Sequence, residues 1–443
     1  MRRVISAWDI FYTGQIVCVD HRVLAIFLTS FVTPFVNSTL SIALPQVARE
    51  FGIPPAAAVS LLVVLTLAVA ALALPMGRLS DVVGAHRVFR AGLLVALAGL
   101  AASSTSPSLY ALYAALALMG GGLAAVFGSN NALLVQIAPP GRRASVVGMN
   151  SMFVYIGLVS GPLVGGLLAS VSWRLIFLPA VVLTALAHLL VGPPPAAPGR
   201  GAGYDWPGAL LLSSAVVLLV MGFANVGLAL TGLVLLALAV VLESRREAPI
   251  LNVRLFKDVV FASSVASAFL NYLSTAALTP ALSLLYQSVY GVPPGATGAL
   301  LSVMSIAMAV FAPLAGRLSD RYQPALLAAA GSAILAASLF LYSRGTPIQW
   351  APLYLFAIGL GFALFIVPNT TIILTSAPPG VASAMVAEAR VLGQSASNSL
   401  AAYVLQRAGG LEAGVYDLLT LLGYFAVATA ALSLARYLRR LAH

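Results

Sequence analysis

Long apolar runs are the feature that most limits what this chain can fold into. Stretches of about twenty apolar residues recur from Val23 to Leu434, and each is long enough to cross the roughly 30 Å hydrocarbon core of a bilayer as a helix. Only 8% of the residues are charged, whereas soluble domains carry about 25%. The sequence therefore predicts an all-α polytopic membrane protein.

The composition argues against several other classes of function. The net charge is +11, but the basic residues stand singly between apolar runs, unlike the patch of a nucleic-acid-binding protein. Lys257 is the one lysine in the chain and precedes Asp258, so the Gly-Lys-Ser/Thr of a phosphate-binding loop is absent. Cys18 is alone and the four histidines are far apart. The sequence therefore predicts no enzyme, no metal site and no cofactor.

A repeat at one offset divides the chain into two halves. Three pairs of matching segments are each separated by 239 residues (316 − 77 = 239), and they are Gly77–Asp81 with Gly316–Asp320, Phe51–Pro55 with Tyr290–Pro294, and Ala138–Gly141 with Ala377–Gly380. Parallel repeats of this kind occur in transporters whose two halves have the same orientation. The sequence thus predicts two homologous bundles of six helices.

The repeat and the apolar runs together predict four segments. They are an N-terminal cytoplasmic or interfacial segment (1–21), a six-helix bundle (22–191), a central linker (192–258) and a second six-helix bundle (259–443). The linker has about 35 apolar residues, and one helix of that length would measure about 52 Å. Two extra transmembrane helices broken near residues 225–227 fit better and give fourteen spans. A linker on the membrane surface, giving twelve spans, is the alternative.

The positions of arginine and lysine predict the orientation. With fourteen spans and a cytoplasmic N-terminus, eighteen basic residues fall on the cytoplasmic side and four on the outside. Cytoplasmic loops of membrane proteins carry such an excess. We therefore expect an integral protein of the cytoplasmic (plasma) membrane with both termini in the cytoplasm.

The repeated GRLSD motif resembles a loop motif of the major facilitator superfamily. The matching residues are Gly77, Asp81, Gly84 and Arg87 in the first copy and Gly316, Asp320 and Arg321 in the second. The resemblance implies the fold of that superfamily, two six-helix halves related by a parallel repeat. It also implies that the aspartates lock the halves together on the cytoplasmic side. Simple capping of a helix by the aspartates is the alternative.

A glycine-rich stretch resembles the fifth-helix motif of antiporters in this superfamily. Its residues are Gly148, Gly157, Gly161, Pro162, Gly165 and Gly166. The resemblance implies a kinked helix that favours exchange, and close helix packing is the alternative. Residues 172–177 and 243–261 also resemble the fourteen-span drug:proton antiporter branch. This resemblance implies multidrug efflux, in which the protein exports small amphiphilic compounds by alternating access in exchange for protons.

The residues that usually couple such antiporters to protons are missing. Leu116 and Met119 stand at the places of the fourth-helix arginine and glutamine. Glu388 and Arg390 lie within a predicted span, where ionisable residues usually have a function, so they are our proton-coupling hypothesis; a structural ion pair is the alternative. An uncoupled facilitator, or a transporter of another small solute, stays open. So does a non-transporting receptor or assembly protein.

The family resemblance also places four spans around a central cavity. Polar residues on these spans are substrate-binding hypotheses, and they are Asn37, Thr39, Asn130, Asn271, Tyr272 and Asn369. Hydrogen bonding between neighbouring helices is the alternative use of such residues. Because few fixed charges accompany them, a neutral or cationic amphiphile is expected. The expected partners are this small molecule, protons and membrane lipid, and the pattern predicts no oligomeric state.

Overall fold

The computed structural model describes residues 20–137, 143–193, 203–223, 225–244, 253–377 and 379–441, and these residues form helices and short turns. Apart from residues 20 and 21, the predicted N-terminal segment lies outside this range. The helices of the first half are α1 (His21–Phe51), α2 (Pro55–Val83), α3 (Ala85–Ser104), α4 (Leu109–Ile137), α5 (Arg143–Val171) and α6 (Leu178–Val191), with a 3-10 turn (Trp173–Phe177) before α6.

Two helices and then the second half follow. The central helices are α7 (Trp206–Met221) and α8 (Val226–Ser244), so the linker folds as the predicted pair of short helices. The second half consists of α9 (Val259–Thr275), α10 (Leu278–Leu284), α11 (Pro294–Arg321), α12 (Pro324–Tyr342), α13 (Ala351–Ser376), α14 (Pro379–Arg407) and α15 (Leu411–Leu441). We call the membrane side at which α2 and α11 end the motif side, because both GRLSD segments lie there.

Twelve helical stretches of the described chain are long and apolar enough to cross a membrane. The chain is therefore an integral membrane protein. α14 is not among the twelve, since Glu388, Arg390 and several serines lower its hydropathy. It nevertheless packs against α2, α9 and α15, so much of its surface meets protein and not lipid. α8 is the reverse case, with a strongly apolar sequence that is largely exposed, as expected of a lipid-facing helix.

The two halves meet through equivalent helices. α2 packs on α14, and α11, which is the repeat equivalent of α2, packs on α5, the equivalent of α14. This two-fold arrangement confirms the fold predicted from the sequence, namely two six-helix halves related by a parallel repeat with two additional central helices.

The first span of the second half is broken, although its repeat equivalent α1 is continuous. α9 ends at Thr275 and α10 begins at Leu278. Pro280 lacks an amide hydrogen, and in an uninterrupted helix its ring would clash with the carbonyl group of Ala276. The amide that the break releases at Ala277 donates to Ser397 Oγ of α14 at 3.0 Å. The stretch Val259–Val289 still counts as one candidate span, and the break inside it is a feature that the sequence did not indicate.

α7 packs beside both halves and, with 16 residues, is shorter than the twelve candidate spans. The Tyr204 hydroxyl donates to the carbonyl of Pro75 at 3.1 Å, and Ser213 Oγ donates to the carbonyl of Ala71 at 2.7 Å, both in α2. At the other end of α7, the carbonyl of Val220 accepts from Ser399 Oγ of α14 at 2.7 Å. These three bonds are distributed along α7, from near the motif side to the end at the opposite side. The central segment is thus hydrogen-bonded to both halves of the helix bundle.

A charged cluster joins the end of α1 to the start of α6 on the opposite side. Arg174 contacts both carboxylate oxygens of Glu50, with nitrogen–oxygen distances of 2.6 and 2.8 Å. Trp173 Nε1 donates to the same carboxylate at 2.6 Å, and Arg174 also donates to the carbonyl of Ser106 at 3.1 Å. A two-pronged arginine–carboxylate pair of this kind is among the stronger surface ion pairs.

We expect Glu50→Gln to lower the free energy of unfolding by about 1 kcal/mol, because the ion pair is partly exposed and therefore screened by water. The measurement is thermal and denaturant-induced unfolding of the protein in detergent micelles. Glu412→Gln is the control, since exposed Glu412 accepts from Tyr290 and makes no ion pair among the described residues. Equal losses in the two variants would contradict a stabilising role for the Glu50–Arg174 pair.

Candidate functional site

A central cavity lies between the two halves. Four helices of the first half (α1, α2, α4 and α5) and four of the second (α9, α11, α13 and α14) line it. It offers about 170 Å³ to water-sized molecules. Its polar and aromatic lining residues are Thr33, Asn37, Thr66, Phe127, Tyr155, Tyr272, Phe362, Thr370, Arg390 and Gln394. The other lining residues are aliphatic side chains, methionine and proline, so the cavity is a mainly apolar chamber with aromatic rings and a few polar groups in its wall.

A second compartment extends the cavity towards the motif side. The two compartments share lining residues that include Thr33, Phe127 and Arg390. The second also contains Ser30, Asn130, Asn131, Asn150 and Ser383, which lie closer to the motif-side ends of their helices. On α14 the lining runs from Ser383 to Gln394, a distance of about 16 Å by helical rise. The combined cavity therefore reaches from mid-membrane towards the motif side.

The two halves pack closely on the opposite side. Gln46 of α1 donates to Gln287 at 3.0 Å, and Gln287 donates to the carbonyl of Ile42 at 2.9 Å. α5 and α11 approach backbone to backbone. A Cβ atom at Gly298 would lie 2.1 Å from the carbonyl oxygen of Pro162, and one at Gly166 would lie 2.7 Å from that of Pro294. The structure thus combines a cavity directed to the motif side with close contact on the other side.

The glycines of the fifth-helix motif form two packing faces. Gly157, Gly161 and Gly165 face α1, where added Cβ atoms would come within 2.3 Å of the Phe31 carbonyl, 2.5 Å of Ser38 Cβ and 2.8 Å of Thr39 Cα. Gly166 instead faces α11 of the other half. Pro162 lies within α5 beside these faces, and Gly148 lies in its first turns. These contacts support the close-packing interpretation of the glycine motif. The interpretation that the motif favours exchange stays a prediction.

The residues of the GRLSD motif lie at the motif side. Asp81 is exposed and pairs with Arg78 on its own helix at 3.6 Å, and Arg87, Asp320 and Arg321 are also exposed. Within the described ranges, no ion pair joins either aspartate to the other half. The role of the two aspartates as a lock between the halves stays a prediction.

The motif glycines have separate structural uses. Gly77 lies against Gly128 of α4, where an added Cβ atom would come 2.5 Å from the Gly77 amide nitrogen. Gly84 separates α2 from α3 with a φ of 108°, a value that residues with a Cβ atom rarely adopt. Gly316, the repeat equivalent of Gly77, has more room, since its Cβ would meet Val367 at 3.9 Å.

Three of the six predicted substrate contacts line the cavity. Asn37 and Tyr272 line the first compartment and Asn130 lines the second. Asn130 also donates to Ser30 Oγ at 2.7 Å. Tyr272 precedes the break between α9 and α10 by a single turn, and its ring makes an edge contact with Phe362 at 5.6 Å between ring centres. These residues come from both halves of the repeat.

The other three predicted substrate contacts do not line either compartment. Thr39 donates to the carbonyl of Val36 at 3.1 Å and packs against Gly165. Asn271 is fully buried on the face of α9 next to that of Tyr272. Asn369 accepts from Arg436 at 2.8 Å and donates to the carbonyl of Ser264 at 2.9 Å. Thr39 and Asn369 thus bond within the helix bundle, which is the alternative use that the sequence left open.

Arg436 is a buried cation that the sequence analysis did not single out. It is 8% exposed and donates to Asn369, Ser433, Ser267 and Ser264. Within the described part of the chain it has no carboxylate partner. Its charge is instead stabilised by neutral oxygens from α9, α13 and α15. The signal in the sequence was an arginine near the end of the last apolar run, but nothing there indicated burial.

Glu388 and Arg390 lie on different faces of α14. Arg390 shares the cavity face with Gln394, four residues later. Glu388 is 6% exposed, its Oε1 has no hydrogen-bond partner among the described residues, and it lines neither compartment. It shares a face with Ser399, which bonds to α7. The helical period separates positions i and i+2 by about 200°, so the two residues cannot form one site.

Arg390 is the one charged side chain in the described lining of both compartments. Its guanidinium lies over the ring of Phe127, 5.1 Å from the ring centre. It makes no ion pair and no hydrogen bond to the residues that the structure describes. No group of three or more His, Cys, Asp or Glu residues suited to a metal ion occurs in the same ranges.

Comparisons with known proteins agree with one another. A family model described as "Major Facilitator Superfamily" matches residues 26–402. The "Uncharacterized transporter YebQ" of Escherichia coli is 32% identical over 393 residues, which cover 83% of this chain and 85% of that protein. The "Multidrug resistance protein Stp" of Mycobacterium tuberculosis is 27% identical over 374 residues, which cover 80% of this chain and 70% of that protein. A crystal structure of a POT family transporter in complex with 5-aminolevulinic acid superposes with a TM-score of 0.71 at 14% identity, over 93% of this chain and 95% of that one.

Proposed function

Because the chain belongs to the major facilitator superfamily, we propose that it is a secondary transporter that exports small amphiphilic compounds by alternating access. The observation that carries this proposal is the central cavity, which both halves line and which extends towards the motif side. Close packing of α5 on α11 separates it from the opposite side. Similarity to a multidrug resistance protein supports export of drug-like compounds.

We assign the motif side to the cytoplasm and the protein to the plasma membrane. The excess of arginine on that side supports this orientation, which also puts both termini in the cytoplasm. The cavity then faces the cytoplasm, from which an exporter loads its substrate. In the converse state, with the cavity open to the outside, Asp81 and Asp320 would lock the halves on the cytoplasmic side. We also propose that the chain is divided into domains at the segment boundaries predicted from the sequence.

Glu388 is our proposed carrier of the exchanged proton. The Glu388 carboxylate is buried and its Oε1 has no hydrogen-bond partner among the described residues. A negative charge in such a place is costly, and protonation removes that cost. The carboxyl group lies on the α14 face that carries Ser399, away from the cavity. Coupling would therefore act through movement of α14 relative to α7 and α2, and not through direct contact with substrate.

The test uses purified protein in sealed liposomes and three probes built on one ring system: 2-naphthalenesulfonate, 2-naphthalenesulfonamide and 2-naphthyltrimethylammonium. We expect a pH gradient to drive at least one probe uphill in the wild type. Glu388→Gln should abolish that drive and retain exchange of labelled for unlabelled probe, because exchange needs no net proton movement. Exposed Glu412→Gln is the matched control and should behave as wild type. Gradient-driven transport by Glu388→Gln would show that Glu388 has a structural role.

An uncoupled facilitator is the second candidate. It is favoured by Leu116 and Met119 at the places of the usual coupling residues, and by the position of Glu388 outside the cavity lining. For a facilitator, probe movement in wild-type liposomes would follow the probe's own gradient and would be equal with and without a pH difference.

A further inference from the structure

The cavity lining that the structure describes contains a single charged group, and that group is positive. Resting on the proposed transport function, we propose that the substrate is an amphiphilic organic anion whose charged head binds Arg390. The described lining of both compartments contains no aspartate or glutamate. The acid nearest in sequence, Glu388, lies on a different face of α14. A bound cation would therefore face an unpaired guanidinium in a poorly solvated chamber, where repulsion between like charges is strong.

The hydrogen-bonding capacity of Arg390 is unused. A guanidinium carries five N–H donors in a planar fork that matches two oxygens of a carboxylate, sulfonate or phosphate. Arg390 makes no hydrogen bond or ion pair to the described residues, and its one specific contact is the ring of Phe127. Because the phenyl ring lies against the face of the guanidinium, the N–H groups at the edge of the guanidinium are free to donate to a ligand.

Arg436 shows how this protein satisfies an arginine with a structural role. It lies in the same half and donates four hydrogen bonds, to Asn369, Ser433, Ser267 and Ser264, while its Nε has no partner among the described residues. Arg390 has no such set of oxygens among the described residues, although it is also partly buried. The contrast indicates that the partner of Arg390 is supplied from outside the protein.

The rest of the lining suits an apolar body attached to the anionic head. The rings of Phe127, Tyr155, Tyr272 and Phe362 and the side chains of Leu65 and Met308 provide the walls. Aromatic walls of this kind bind planar apolar groups by stacking and by edge contacts. The Asn37 amide oxygen, which has no partner among the described residues, offers a further polar contact. An aryl or fused-ring anion meets these features better than the neutral or cationic compound expected from the sequence.

The experiment measures equilibrium binding of the three radiolabelled naphthyl probes to purified protein in detergent. We expect the sulfonate to bind at least about tenfold more tightly than the trimethylammonium compound. Arg390→Gln should weaken sulfonate binding about tenfold or more, since a hydrogen-bonded charge pair is worth that much, and should leave binding of the neutral sulfonamide nearly unchanged. Arg390→Lys should retain part of the affinity, because it keeps the charge but loses the planar fork.

Exposed Arg49→Gln is the matched control and should bind all three probes as wild type does. Retained sulfonamide binding by Arg390→Gln shows that this variant is folded. Equal or tighter binding of the cationic probe, unchanged sulfonate affinity in Arg390→Gln, or no binding of any probe to the wild type would each overturn the proposal.

The binding and transport experiments together test the anion site and the transport function separately. Arg390-dependent sulfonate binding without sulfonate movement in liposomes would support the anion site and contradict the transport function. Gradient-driven movement of the cation in preference to the sulfonate would support transport and contradict the anion site.

Discussion

A valine in place of Gly298 will abolish net transport, because it prevents the two halves from closing on the opposite side. A Cβ atom at this position would lie 2.1 Å from the Pro162 carbonyl oxygen and 3.1 Å from Gly166 Cα. Both are backbone atoms of α5, so no side-chain rotation can relieve the clash. The closed arrangement becomes inaccessible, and alternation between two access states requires it.

Two measurements check this result. Transport of the naphthyl probes in liposomes should fall to the level of empty vesicles for Gly298→Val. In a background lacking Cys18, a cysteine at position 287 should react faster with a membrane-impermeant maleimide added to the opposite side. Gly295→Ala is the control on the same helix, since its Cβ would meet Ser170 Oγ at an ordinary 3.5 Å. Wild-type transport by Gly298→Val would mean that α5 and α11 need not touch during the cycle.

Asn369→Leu should destabilise the protein more than Glu50→Gln or Asn130→Leu does. Asn369 accepts a hydrogen bond from buried Arg436 and donates another to the Ser264 carbonyl. Loss of both leaves a buried guanidinium short of one acceptor, and we expect the free energy of unfolding to fall by about 3 kcal/mol. The measurement is the unfolding midpoint and slope in a denaturing-detergent titration.

Asn130→Leu is the matched control, because Asn130 is the repeat equivalent of Asn369. It donates one hydrogen bond to the neutral hydroxyl of Ser30, and its loss should cost about 1 kcal/mol. The double variant Asn369→Leu/Arg436→Met should be more stable than Asn369→Leu alone, since it also removes the unsatisfied charge. Equal costs at the two asparagines, or no recovery in the double variant, would contradict this account of Arg436.

The sequence predicted the architecture well because apolar runs and a fixed repeat offset report directly on membrane spans. The central pair of helices followed from simple length, since one helix of 35 apolar residues would overshoot a bilayer. The break before Leu278 could not be predicted in the same way. Pro34, Pro75, Pro162 and Pro368 all lie inside uninterrupted helices, so a proline alone does not mark a break. Stabilisation of this break by Ser397 depends on tertiary contact.

The sequence identified helices that line the cavity, but it did not identify which face of each helix lines it. Asn271 and Tyr272 are adjacent on α9, yet only Tyr272 lines the cavity. A rotation of about 200° separates Glu388 from Arg390 on α14. Burial on all sides removes the polar-to-apolar gradient that would reveal orientation in a soluble helix. Packing against neighbouring helices determines which residue faces the cavity, and a single sequence does not encode that contact in any local pattern.

The bonds of α7 have a consequence for turnover. Two of them bind the backbone of α2, and one, from Ser399, binds α14 of the other half. If the halves rock against each other, α7 cannot keep all three, and we expect it to travel with α2. The Ser399–Val220 bond would then break in one half of the cycle at a cost of about 1 kcal/mol, which is regained when it re-forms in the other half. The inserted pair of helices would in that way favour the conformation described here about fivefold over one in which α7 has left α14.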